Sequence, residues 1–406
     1  MSLLDSASLV VTPNGYKASK LYSIVPSDGT GDMTFARTGD TATRVNSSGL
    51  IETVLANKPR LDYTGGGCPK LLLEPQRTNI LKYSDDFSNG VWIKSNATIS
   101  TNATISPDGT SNADKIIENT ANDSHATYYA SYVSSKTFSF FAKAAERSWV
   151  YVISANNNTY FDLSTGTIGN IASGSTAKME YYGNGWYRCT VYNTHPTYGA
   201  SIFITTGNGT NSYTGNGTSG VYIWGAQLED GSYATSYIPT TSASVTRNAD
   251  NCYKSTASAL IGQTEGTIFL DCILESANGG SIYFGITSGT FANFILLGKE
   301  AGVTPNKILF GLQANSSLIF FNTSNSLTSN RIKLAIGYKN NDWAAYLNGT
   351  LVQSGTSSIT FSSSLNTIGF GSNGSFTTTL DKMNVYSAAL WKTRLQNADL
   401  AALTTI

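Results

Sequence analysis

The sequence predicts an all-β protein: an irregular N-terminal module, then two β-sandwich (jelly-roll) domains, then a short C-terminal helix. Three observations carry this. Short runs of aromatic and β-branched residues recur at fairly even spacing, each bounded by Gly, Asn or Ser. Gly183-Asn184-Gly185 and Asn348-Gly349 separate neighbouring runs with residues that tolerate the positive φ of tight hairpins. No fixed-period repeat is present, which argues against a β-helix. At 406 residues the chain exceeds what one hydrophobic core supports, so two or three domains are expected.

Residues 1–81 hold only short strand candidates, Leu9–Thr12 and Lys20–Val25, punctuated by Ser27–Asp32 and Gly65-Gly66-Gly67. This module should fold by packing on the next domain or on neighbouring chains. Residues 82–250 carry strands at Phe138–Lys143, Trp149–Ile153, Met179–Tyr182, Trp186–Tyr192, Ile202–Thr205 and Val221–Leu228, closed by a polar connector at Thr240–Asn251. Residues 251–406 resume with Thr267–Leu274, Ser281–Ile286, Phe294–Leu297, Lys307–Leu312, Leu318–Phe321, Arg331–Tyr338, Trp343–Leu347, Thr367–Phe370 and Asp381–Tyr386. In the tail, Leu390, Leu395, Leu400 and Leu403 share one face of a predicted helix.

Charged residues make up 13% of the chain, about half the usual share, and they sum to zero net charge. A nucleic-acid binder carries a basic excess, so that partner class is not expected. The surface is instead Ser, Thr, Asn and Gly, suited to neutral sugars or to a particle exterior. An aromatic content of 11% argues against disorder. The four cysteines (Cys68, Cys189, Cys252, Cys272) show no CxxC pairing and are expected to be reduced. The opening Met-Ser-Leu-Leu-Asp has no signal-peptide pattern, and no apolar run reaches membrane-spanning length, so synthesis in a host cytoplasm without membrane insertion is expected.

Several runs resemble known families. Phe87…Trp92, Ser106-Pro107-Asp108-Gly109-Thr110…Ala113-Asp114-Lys115-Ile116, Phe161–Gly166 and Gly185-Trp186-Tyr187-Arg188 resemble carbohydrate-binding-module-like jelly rolls of phage structural proteins. Gly225-Ala226-Gln227-Leu228-Glu229…Ala234–Thr240…Thr246-Arg247 is the most phage-like stretch. Trp343–Gly349 and Ile368-Gly369-Phe370-Gly371 are similar to concanavalin-A-like (laminin-G-like) domains. Phe35-Ala36-Arg37 and Leu71–Asn79 resemble a module that precedes such jelly rolls in phage fibres. The resemblance implies a virion component, a head or tail fibre or appendage. Its residues 1–81 would anchor it to other virion proteins and to itself as a homo-oligomer, a trimer in the leading reading. The sandwiches would project outward and attach to host or environmental glycans; inert decoration and a polysaccharide-degrading spike are the alternatives.

No catalytic residues are assigned. The two histidines, His125 and His195, have no second ligand at metal spacing. Gly215-x-Gly217-x-x-Gly220 matches a dinucleotide fingerprint by letters, but a strand rather than a helix is predicted after it. Asp85, Asp86, Glu229 and Asp230 are carboxylates of the type that glycosidases use, without a spacing that sets two across a cleft. No cofactor is expected; a structural Ca²⁺ on Asp108, Asn112 and Asp114 competes with an Asx turn at the same residues. Carbohydrate needs an aromatic platform beside hydrogen-bonding groups, and Tyr128, Tyr129, Trp149 and Trp343 are the candidates, with Tyr132 in the same stretch as the first two.

Overall fold

The computed structural model describes residues 3–129, 136–154, 157–195, 199–275, 281–300, 307–322, 326–328, 330–378 and 381–406. Among these the strands form sheets of eight and nine strands, two sheets of six, and three two-stranded ribbons, with one α-helix at Asn397–Thr404. The all-β expectation holds.

The two six-stranded sheets make the jelly roll and use strands from Trp92–Ser95 to Gly220–Asp230 only. Between them lie Phe138, Phe140, Val150, Val152, Phe161, Ile202, Ile204 and Ile223. Side chains alternate across a strand, so Phe138, Phe140 and Ala142 fill this core while Phe141 faces the opposite way. Phe141 meets Trp186, Trp224 and Tyr237 in a second cluster that also takes Val45 and Ile51 from the first segment. Burial on both faces accounts for the unbroken buried stretch from Thr137 to Ala142, apolar but for Thr137 and Ser139. The Gly183–Gly185 hairpin forms as expected, with all three residues at positive φ, and so does the turn at Asn348-Gly349.

The eight- and nine-stranded sheets make the second sandwich, and here the division at residue 81 does not follow the strand pairing. Leu9–Val11 pairs antiparallel with Met383–Trp391, in register Leu9 to Leu390. Lys70–Leu73 pairs with the other end of that same strand. Met33–Ala36 pairs with Asn251–Lys254 in the nine-stranded sheet. Leu9, Leu21, Phe35, Leu61, Leu71 and Leu73 therefore share one core with Leu270, Phe284, Phe310, Leu334 and Phe370. The first segment lacks strong periodicity because each piece completes a sheet built elsewhere. In strand order, the jelly roll is an insertion within the second sandwich.

The tail also differs from expectation. Leu390 lies within the strand Met383–Trp391, Leu395 lies between elements, and the helix begins only at Asn397. Strand pairing of Ala388–Leu390 with Leu9–Val11 wins over the leucine spacing.

Candidate functional site

The connector at residues 240–251 and residues 225–239 before it form a polar latch between the two sandwiches. Val245–Arg247 pairs with Arg77–Asn79. The buried Asn79 amide donates to the carbonyls of Ala226 (3.1 Å) and Ile238 (2.9 Å), and its oxygen accepts from the Leu81 and Leu228 N–H groups. Glu229 is buried and accepts from Gln227 Nε2, Thr235 N and Thr235 Oγ1. Below them is a fully buried ion network. Arg60 binds both Glu74 and Asp250, Arg37 binds Asp250 at 2.9 Å, and Arg247 lies 3.6 Å from Glu74. Burial opposes the Glu74 charge, but Arg247, Arg60 and Lys382 outweigh it and hold the carboxyl well below its ordinary pKa. The chemistry of these residues is structural: each charge of the ion network has a counter-charge, and Glu229 is held by neutral donors.

Two of the predicted aromatics are brought onto one surface. Register places Tyr128, Phe203, Tyr151, Trp149 and Tyr160 on the outer face of one jelly-roll sheet. Tyr151 stacks on Phe203 at 4.6 Å and lies 5.2 Å from Tyr160. Asn211 ties the row down: its carbonyl accepts from Tyr151 Oη at 3.2 Å, and its side-chain oxygen accepts from Tyr160 Oη and from Asn158 Nδ2. Tyr151, Tyr160 and Phe203 are buried, with Tyr128 and Trp149 half-buried at the margins. The row is packed rather than presented. Tyr129 turns the other way, against Trp92 at 5.5 Å beside the inter-sheet core. Trp343 is 3% exposed and stacks on Phe320 inside the second sandwich, so it is core and not a platform. Tyr132 lies outside the described residues.

The proposed calcium loop takes the Asx-turn arrangement. Asp108 Oδ1 accepts from Ser106 Oγ, Thr110 N and Thr110 Oγ1, and Asp114 accepts from the N–H groups of Phe87 and Asn102. Of the three residues, only Asn112 has a side-chain oxygen buried without a partner. Burial raises the Asp114 pKa, with Asp86 and Asp85 adding to it against the two backbone donors. Among the described residues no three His, Cys, Asp or Glu side chains gather as a metal site. His125 is buried, with its ring nitrogens on the carbonyls of Asn96 and Tyr213. Asp230 pairs with Lys136 at the surface. Gly220 is explained by packing, since a Cβ there would lie 2.0 Å from the Ile116 carbonyl.

An open concavity lies elsewhere. A cleft of about 910 Å³ runs between the jelly-roll edge at Lys178–Tyr182, the first-segment turns at 46–49 and 63–67, and the second-sandwich residues Ile273, Glu275, Lys382 and Asn384. Along the edge strand Thr176–Tyr181, alternation puts Lys178 and Glu180 on the cleft face, in line with Tyr182 just beyond it. Tyr181 is 57% exposed and packs 5.2 Å from Tyr187; Tyr63 and Tyr182 are half-buried in the same lining. Polar groups surround these rings. Lys178 pairs with Glu180 at 2.9 Å, Lys70 Nζ donates to the Thr64 carbonyl, and Arg188 Nη2 donates to Ser139 Oγ at 2.9 Å. Burial opposes ionisation of Glu180, but Lys178 and Lys382 keep its pKa lowered. Burial, with help from Glu180 and Asp62 and against Arg188, raises the Tyr182 phenol to about 12, so it stays a neutral donor.

No protein-family model matches the chain, and no curated protein matches it in sequence. Three similar solved structures show the range of likeness. The carbohydrate-binding module of a Ruminococcus gnavus sialidase, bound to α2,3-sialyllactose, is 14% identical, with 38% of this chain and 92% of that one covered and a TM-score of 0.31. A Trypanosoma rangeli sialidase is 11% identical over 95% of this chain and 67% of its own, at 0.29. A pentraxin from Limulus polyphemus is 12% identical over 34% and 68%, at 0.26. Likeness at this level carries no argument about what the chain binds or does.

The cleft residues were not singled out from sequence. Its walls come from segments more than two hundred residues apart, and no local pattern announces such a junction. The one local signal was the density of rings at Tyr181-Tyr182 and Trp186-Tyr187 around a tight hairpin, which places side chains at an exposed turn.

Proposed function

We propose that the protein is a non-enzymatic structural and adhesive component of a phage particle, and that it holds a glycan in the cleft between its two sandwiches. The observation that carries the glycan reading is the lining. Half-buried Tyr63 and Tyr182, which pack in one cluster beside Phe141, offer ring surface for a pyranose, and Asn384, Ser47 and Lys178 line the same cleft with groups for its hydroxyls. The particle role rests on the sequence resemblance alone, in which the first segment anchors the chain and self-association multiplies a weak site.

A glycan array probed with the full chain tests the reading, with Tyr182→Ala as the matched control. Binding that falls at least tenfold in the variant supports it. A blank array for both proteins removes the adhesive half and leaves an inert particle component. Release of reducing ends, or loss of polymer viscosity, overturns the non-enzymatic half.

A further inference from the structure

Resting on the glycan reading of the cleft, we propose that its ligand is an anionic saccharide, whose acid groups are received by Arg188 and Lys70.

Each carboxylate of the inner cleft already has work to do. Asp62 accepts from the N–H groups of Val45 (2.9 Å) and Thr64 (3.1 Å). Glu74 is held by Arg60 at 2.7 Å, by the Ser236 N–H and hydroxyl, and by Arg247. Glu180 pairs with Lys178. Register sets Arg188 opposite Glu180 and Lys70 opposite Asp62, yet the direct hydrogen bonds of both cations go to neutral groups. Arg188 is 2% exposed, yet its hydrogen bond to a side chain goes to a neutral hydroxyl, its guanidinium lies 5.4 Å from the Phe141 ring, and Nε is buried with no partner. Lys70 is 9% exposed, and its ammonium donates to a neutral carbonyl.

Buried cations with neutral partners are costly, and a carboxylate or phosphate arriving in the cleft supplies what is missing. The groups around Lys70 agree. Burial lowers its pKa most; Asp62 and Glu180 favour the charge, Lys382 opposes it, and the balance stays on the lowered side. Glu275 also lines the cleft and, with Glu74 and Glu180, keeps Lys382 charged. The cleft therefore repels acid at Glu275 and Glu180 and attracts it at Arg188 and Lys70. The whole chain has zero net charge, so this attraction is local to the site.

Binding of the full chain to four polymers, measured by calorimetry at low and moderate salt, separates the possibilities. Polygalacturonate offers carboxylates, a phosphomannan offers phosphates, and dextran and galactan are neutral. The expected result is binding to an acidic polymer that weakens about tenfold as salt screens the contact, with neutral polymers at least tenfold weaker. Whichever acidic polymer binds identifies the acid. Lys70→Met should lose about tenfold in affinity for it, the loss of one charge-assisted contact. Should that variant fail to fold, the salt dependence of the unaltered chain still decides. Equal, salt-insensitive binding of the neutral polymers overturns the anionic proposal and keeps the glycan reading. Binding to none of the four overturns both.

Discussion

Glu74→Gln is the sharpest probe of what joins the two sandwiches. Glu74 Oε2 receives Arg60 Nη1 and Ser236 Oγ, each at 2.7 Å, and Oε1 receives the Ser236 N–H at 2.8 Å. The amide keeps the shape but turns one acceptor into a donor facing a guanidinium. It also leaves Asp250 as the one carboxylate among Arg37, Arg60 and Arg247, all fully buried. Breaking a buried pair from one side costs about 3–5 kcal/mol, because the remaining charge stays desolvated. The pH dependence follows from the lowered pKa of Glu74. A depressed carboxyl contributes its full stability above its unfolded value, ordinarily 4.5, and loses it as pH falls toward the folded value. Gln does not titrate. The gap between the two proteins, measured by denaturant unfolding, should therefore be full at pH 7 and narrower by about 1.4 kcal/mol one unit below the unfolded pKa. A gap under about 1 kcal/mol at pH 7, or one that widens on acidification, would refute the reasoning.

Other consequences are as direct. Asn79→Ala removes two donated and two accepted hydrogen bonds at a buried site, and should lower stability by about 3 kcal/mol or more in thermal unfolding. Trp343→Ala should cost about 3–5 kcal/mol as a core cavity while leaving polymer affinity of the folded chain unchanged; a selective loss of affinity would restore its role as a platform. Ellman's reagent should find one reactive thiol in the native chain and four after denaturation, since Cys68 is exposed while burial pushes the thiols of Cys189, Cys252 and Cys272 upward. Reaction of a second native thiol would show that one of the cores opens.

The strands of residues 136–230 were legible because their period, turn residues and length all agree locally. Trp149–Ile153 and Trp186–Tyr192 start and end where the sequence places them. Ala97–Thr104 was not, because its alternation is of Thr, Ser and Asn with almost no apolar contrast. The first segment has no period of its own to read because Leu9, Phe35 and Leu71 are core residues of sheets made mostly from residues beyond 250. Long-range pairing of this kind leaves no trace in a local window. At the site, sequence alone could propose Trp149 and Tyr128 together, and register does place them on one face. It could not foresee that Asn211 pins that face shut, nor that Tyr182 lines an open cleft.

Arg77–Asn79 and Val245–Arg247 are paired strands, so the chain enters and leaves the jelly roll through neighbouring doorposts. Paired strands run about 4.8 Å apart, a gap that a two-residue turn closes. The frame behind them takes no strand from the inserted residues. The jelly roll thus sits as a cassette in a socket, and the socket's side of the lock is Glu74, Asn79, Arg247 and Asp250. A lineage that keeps those four side chains can exchange the cassette, and with it one wall of the cleft, without rebuilding the frame that carries it.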